Sequence, residues 1–170
     1  MKIETSFTGL TLEIFQADNR EKAVKSFFEG SYSPEKFNFN ISHAGNLLLL
    51  AKHVSKAIGI DMEAFPAPKN FISVAKEFFW QEETDFLHSI ELEKQQDYFL
   101  AIWTAKEAFC KLHRFNMYDM LPGPNFTPWL KNGLSPALEY TYKEKIINLL
   151  FKEILIDGKR YYISIAIEMQ

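Results

Sequence analysis

The strongest constraint on the fold lies at the C-terminal end. Residues 145–169 have the composition of two long strands turning at Asp157-Gly158. An Asp-Gly pair supplies the positive-φ positions that a two-residue hairpin needs. Strands joined so tightly are antiparallel. At the other end, residues 2–7 and 10–15 alternate apolar and polar side chains about Thr8-Gly9, the pattern of a second hairpin. Strand patterns at both ends with helical patterns between them predict an antiparallel α+β domain, not a repeated βαβ fold.

Between these ends, Asp18 followed by Glu21 has the form of a capping box, and Ala23, Val24, Phe27 and Phe28 then share one helical face. Gly30 and Ser33-Pro34 end that helix. Residues 37–43, 47–51 and 58–63 are predicted strands, the last stopped by Pro66 and Pro68. Asn70 is placed to cap a helix carrying Phe71, Val74, Ala75, Phe78 and Phe79, and residues 82–90 form another short helix. Residues 91–113 are the longest helical segment, with Tyr98, Ile102, Ala105, Phe109 and Leu112 on one stripe. Residues 116–136, interrupted by Pro122, Gly123, Pro124, Pro128, Gly133 and Pro136, are expected to be a loop.

Composition narrows the function classes. The chain has 170 residues, 47% of them apolar and 16 of them Phe, enough for one domain with its own core. A net charge of −3 without a basic run argues against a nucleic-acid partner. The lone cysteine, Cys110, excludes an internal disulfide and a cysteine zinc site. His53, His88 and His113 lack ligand spacing. No leader-like apolar run and no stretch of about 18 apolar residues is present, so no membrane association and a cytoplasmic location are expected.

Three short segments carry chemistry. Asp61 and Glu63 lie two apart on a strand and face one way, while Ile60 and Met62 face the other. Two close anions repel unless a cation lies between them, and an all-oxygen donor pair suits Mg²⁺ completed by phosphate oxygens. In Trp103-Thr-Ala-Lys-Glu107-Ala-Phe-Cys-Lys111, Glu107 and Lys111 share a helix face with Trp103, while Lys106 points in a neighbouring direction. In Asn40-Ile-Ser42-His43, a hydroxyl and an imidazole end a strand at a Gly turn, a small anion-recognition corner. Each has a blander explanation when taken alone: a solvated strand end, a surface ion pair, a capped strand.

In this order, N-I-S-H-A-G, G-I-D-M-E and W-T-A-K-E-A-F-C-K resemble the 4′-phosphopantetheinyl transferases. The resemblance is good over residues 38–113 and looser over the final hairpin, and the D-x-E form is that of the longer, two-lobed type. It implies two related lobes of antiparallel sheet plus helices with the active site between them, here about residues 1–65 and 66–170 of a single transferase domain. The implied reaction moves the phosphopantetheine arm of coenzyme A to a serine of an apo acyl or peptidyl carrier protein. Such enzymes serve fatty acid, polyketide or nonribosomal peptide biosynthesis. Asp61, Glu63 and Glu107 would hold Mg²⁺. Ser42 and His43 would meet the 3′-phosphate end of coenzyme A, and Lys106 and Lys111 its phosphates. Glu107, directly or through a metal-bound water, would be the base for the carrier serine, and Lys111 would stabilise or protonate the departing 3′,5′-ADP. Arg114, Phe115, Met117 and Tyr118 would face the carrier, and the enzyme would be a monomer.

Residues 61–113 carry ten acidic and five basic side chains, a region that would repel coenzyme A unless a divalent ion intervened. The sequence departs from the family pattern in two places. Ser33-Pro34-Glu35-Lys36 stands where a Gly-Lys-Pro-like segment is usual, and Leu-His-Arg follows Lys111 where a glycine is usual. A trimmed first lobe is expected from this comparison, and the alternative reading is an inactive relative that binds carrier protein or coenzyme A.

Overall fold

The computed structural model describes residues 1–5, 7–28, 38–116, 118 and 123–169. Among the described residues, two four-stranded antiparallel sheets and five α-helices make up the fold. The first sheet, in the order β1-β2-β4-β3, contains β1 (Lys2–Ile3), β2 (Leu10–Gln16), β3 (Asn38–Ala44) and β4 (Leu47–His53). The second, in the order β5-β8-β7-β6, contains β5 (Ile58–Ala64), β6 (Ala137–Tyr142), β7 (Lys145–Ile156) and β8 (Lys159–Glu168). By hydrogen bonding β5 belongs with the C-terminal strands, although it lies within residues 1–65. The helices are α1 (Arg20–Phe27), α2 (Phe71–Phe78), α3 (Gln81–Ser89), α4 (Leu92–His113) and α5 (Thr127–Lys131). This is the α+β class expected. Among the described residues no helix is long and apolar enough to cross a membrane.

The C-terminal hairpin forms where Asp157-Gly158 places it, with both residues at positive φ (50° and 75°) and Ile156 paired to Lys159. The N-terminal hairpin is shorter than its alternation suggests, because only Lys2 and Ile3 pair with β2. The cap of α1 is Asn19, whose side chain accepts from the Lys22 amide at 2.8 Å. Asp18 instead lies in the 3-10 turn before it. Asn70 precedes α2 without a side-chain capping bond.

Within residues 116–136 the chain makes the short helix α5. Its first turn tolerates Pro128, which has no amide proton to lose there, and Trp129 and Leu130 are buried beneath it. The strand β6 follows. Its half-buried Leu138, Tyr140 and Tyr142 alternate with exposed neighbours, a period-two signal legible in the sequence but absent from the expected elements.

The two faces of β5 meet different surroundings. Ile60 and Met62 are fully buried in one cluster with Leu12, Ile14 and Leu49 of the first sheet and Ile163 and Ile165 of β8. The opposite face lies against α4. Phe99, Ile102, Ala105, Ala108 and Leu112 of that helix are buried with Tyr162 and Ala166 of β8. Gly59 makes this packing close. A Cβ there would collide with the carbonyl of Ala108 and the amide of Leu112. Strand and helix therefore touch backbone to backbone, and the side chains on either side of the contact, from β5 and from α4, are brought together.

Candidate active site

The residues that meet across this contact are Asp61 and Glu63 from β5, Trp103, Glu107 and Lys111 from α4, and Ser42 from β3. Asp61 Oδ1 accepts from Ser42 Oγ at 2.8 Å and from Lys111 Nζ at 2.7 Å. Ser42 Oγ in turn accepts from the Met62 amide at 3.1 Å and from Lys111 Nζ at 3.3 Å. The hydroxyl thus ties β3 to β5 and holds Asp61 in one rotamer. Asp61 is buried, and its other oxygen, Oδ2, has no hydrogen-bond partner among the described residues. A buried carboxylate oxygen without a donor is costly, and this one marks a point where positive charge is missing.

Glu63 and Glu107 are half-buried beside it. Desolvation and then the Asp61 charge push the Glu63 carboxyl up to about 7, against a smaller opposing hydrogen bond from the Trp103 side chain. Desolvation followed by the Asp61 charge likewise pushes Glu107 up to about 7, and Lys111 opposes it. The three acids therefore sense one another, with a single lysine in contact with Asp61. Among the described residues no three His, Cys, Asp or Glu side chains are arranged to hold a metal ion as they stand. The donor chemistry still fits a hard dication: oxygen ligands only, one of them buried without a donor, and two whose charged forms burial and then the Asp61 charge disfavour.

Two expected contacts are corrected. Lys106 does not face the acids. Glu107 and Lys111 lie on the helix face toward β5, and Lys106, about 100° round from Glu107, points into the space between α3 and α5. Its ammonium pairs with Glu83 at 2.9 Å, and both side chains are at most 1% exposed. It cannot reach a solvent-borne phosphate. The Ser42–His43 corner does not form either. Ser42 is buried under Asp61, while strand alternation puts His43 on the opposite face with Phe39 and Ile41, exposed to solvent.

Of the residues expected to face a carrier, Tyr118 is 82% exposed and Arg114 is exposed, whereas Phe115 packs half-buried against Phe109 and His113. Met117 lies outside the described residues. Reasoning from the sequence missed two partnerships, Trp103 with Glu63 and Glu83 with Lys106. Both join separate elements, and no local spacing announces them.

Two openings flank the cluster. An apolar groove of about 690 Å³ begins at Glu63 and runs past Val74, Phe78, Phe99, Trp103 and Tyr118. A smaller polar pocket of about 240 Å³ lies at the other end, with Asn38, Asn40, Lys111 and Arg114 in its wall. An elongated ligand with a charged end, an anionic middle and an apolar tail matches this order: cationic pocket, acid cluster with lysine, apolar groove.

Comparison with known proteins points the same way. A sequence profile of the 4′-phosphopantetheinyl transferase superfamily matches residues 57–166. HetI, a 4′-phosphopantetheinyl transferase of Nostoc sp. strain PCC 7120, is 41% identical over 73 residues, covering 43% of this chain and 31% of HetI. The 4′-phosphopantetheinyl transferase Gsp of Aneurinibacillus migulanus is 27% identical over 121 residues, 71% of this chain and 48% of that protein. The L-aminoadipate-semialdehyde dehydrogenase-phosphopantetheinyl transferase of Xenopus laevis is 30% identical over 158 residues, 84% of this chain and 51% of the relative. The chain spans about half the length of these relatives or less.

Proposed function

Because the chain belongs to the 4′-phosphopantetheinyl transferase superfamily, we propose that it transfers the phosphopantetheine arm of coenzyme A to a serine hydroxyl of an apo acyl or peptidyl carrier protein, acting as a cytoplasmic monomer. The carrying observation is the Asp61 cluster: one buried carboxylate held by Ser42 and Lys111, with a bare oxygen, next to two acids whose carboxyls desolvation and then the Asp61 charge push up to about 7.

In the reaction, the serine oxygen forms a bond to the phosphorus that carries the pantetheine arm. The bond from that phosphorus to the bridging oxygen breaks, and 3′,5′-ADP leaves. Glu107 is placed to take the serine proton as general base. Lys111 carries a point charge at the border of the acid cluster and the cationic pocket, and is placed to stabilise the oxygen of the departing ADP. Asp61, Glu63 and Glu107 would hold Mg²⁺, which supplies charge neutralisation for the pyrophosphate. Asn38, Asn40 and Arg114 offer donors to the nucleotide phosphates. The groove past Trp103 and Phe78 accepts the arm and leaves its phosphorus end at Glu63.

The test is to incubate the protein with coenzyme A, Mg²⁺ and an apo carrier protein and to weigh the carrier. A mass gain equal to the phosphopantetheine arm, abolished by Asp61→Ala and by Glu107→Ala, is expected. Binding of coenzyme A with no gain on any of several acyl and peptidyl carriers would instead favour a non-catalytic relative.

A further inference from the structure

The chain has three tryptophans, and an indole offers one donor and no acceptor. Trp80 gives its N–H to the Gly123 carbonyl at 3.0 Å, and Trp129 gives its own to the Ser135 carbonyl at 2.8 Å. Both are fastenings of the backbone. Trp103 instead gives its N–H to a side chain that the reaction above uses, the Glu63 carboxylate.

The pairing follows from how β5 lies on α4. Asp61 meets Lys111 at 2.7 Å, and Gly59 lies against Ala108 and Leu112. Trp103, Glu107 and Lys111 follow one another at steps of four on this helix face. Glu63, two residues beyond Asp61 on the same strand face, therefore lies toward Trp103, and the two side chains line the same end of the apolar groove.

The indole is wedged among rings. It stacks on Phe99 with centroids 6.0 Å and planes 15° apart, tilts against Phe79 at 6.4 Å and meets Phe78 edge-on at 5.9 Å. Phe79 and Phe99 also stack on each other at 5.4 Å. Rings from α4 and from the C-terminal end of α2 thus aim the N–H before any ligand arrives. Glu63 is the flexible partner, half-buried at the edge of a groove of about 690 Å³ with room to turn away from the other acids. A carboxylate has two oxygens, so an N–H on one leaves the other for a cation.

We infer that Trp103 is a positioning residue: its indole N–H keeps Glu63 turned toward Asp61 and Glu107, so that the affinity of the protein for Mg²⁺ depends on a donor that never touches the ion. The inference rests on the transferase reading above.

The test is Mg²⁺ binding by calorimetry, with tryptophan emission followed in a parallel titration. Trp103→Phe keeps a ring in the stack and removes the N–H. Mg²⁺ should bind about ten- to hundredfold more weakly, the usual cost of losing the hydrogen-bond partner of a ligating group. In a Glu63→Gln background the same change should cost nothing more. Wild-type emission should shift as Mg²⁺ draws on the carboxylate at the indole. The shift should vanish in Glu63→Gln, which keeps the indole, and in Trp103→Phe, where Trp80 and Trp129 stay on their backbone carbonyls. A purely structural Trp103 would lower the melting temperature on substitution and leave Mg²⁺ affinity where it was. Unchanged affinity in Trp103→Phe, a further loss in the double variant, or a wild type that binds Mg²⁺ with silent emission would overturn the inference. If Trp103→Phe does not fold, replacing Trp103 by benzothienylalanine, which has the same shape with sulfur in place of the N–H, carries the same expectations. Failure of the wild type to bind Mg²⁺, with coenzyme A present or absent, would overturn the Mg²⁺-dependent transferase reading itself, and this inference with it.

Discussion

Gly59 of β5 and Ala108 of α4 meet without a side chain between them: a methyl group on Gly59 would collide with the Ala108 carbonyl and the Leu112 amide. The contact sets the depth at which the strand sits against the helix. Asp61 is two residues along the strand, and Glu107 and Lys111 flank Ala108 on the helix. The site exists because nothing at residue 59 pushes the two elements apart.

Gly59→Ala is therefore expected to destabilise the fold by at least about 3 kcal/mol, the upper end of overpacking costs, because both obstacles are backbone and cannot swing away. Urea unfolding measures the loss. Transfer activity should fall with it, and a variant as stable as wild type would refute the close approach.

Ser42→Ala takes a donor from Asp61 and leaves the buried Met62 amide without its acceptor. An unsatisfied buried group costs about 1–3 kcal/mol. The unfolding midpoint in urea should drop by a corresponding amount with an unchanged slope. If Ser42 only touched coenzyme A, the unliganded protein would be as stable as wild type.

Glu107→Gln keeps the size of the side chain and removes the base. The turnover rate on an apo carrier is expected to fall by about a hundredfold to ten-thousandfold, the usual worth of a positioned general base. Rapid-quench measurement of product mass would check this, and a variant within a fewfold of wild type would assign the proton to another group.

The acids also set a pH dependence. Glu63 and Glu107 move from an ordinary 4.5 up to about 7 in the folded protein, chiefly through desolvation and then through Asp61. Between those values the folded state holds more protons than the unfolded one, so their contribution to stability falls as pH rises through the window. His53 and His113 act oppositely: burial lowers both, so below their ordinary 6.5 they favour unfolding as pH falls. The informative quantity is thus the difference between wild type and Glu63→Gln/Glu107→Gln. In chelator, the wild type should lose melting temperature relative to that variant between about pH 5 and 8. Added Mg²⁺ should flatten the difference, since a bound cation favours the charged acids.

Much of this protein follows from its periodicities. The two-residue period of a strand puts Asp61 and Glu63 on one face and Ile60 and Met62 on the other. The turn of a helix puts Glu107 and Lys111 together, and Asp157-Gly158 admits little besides a tight hairpin. These are consequences of bond geometry within a few residues, so the chain alone determines them. Tertiary packing decided the rest. It sent Lys106 to Glu83 and away from any phosphate, buried Ser42 as a support for Asp61, and joined Trp103 to Glu63. Residues so far apart in sequence meet only when whole surfaces fit. Which lysine finds which acid then depends on how closely β5 and α4 approach and how the helix is rotated, quantities that no local spacing contains.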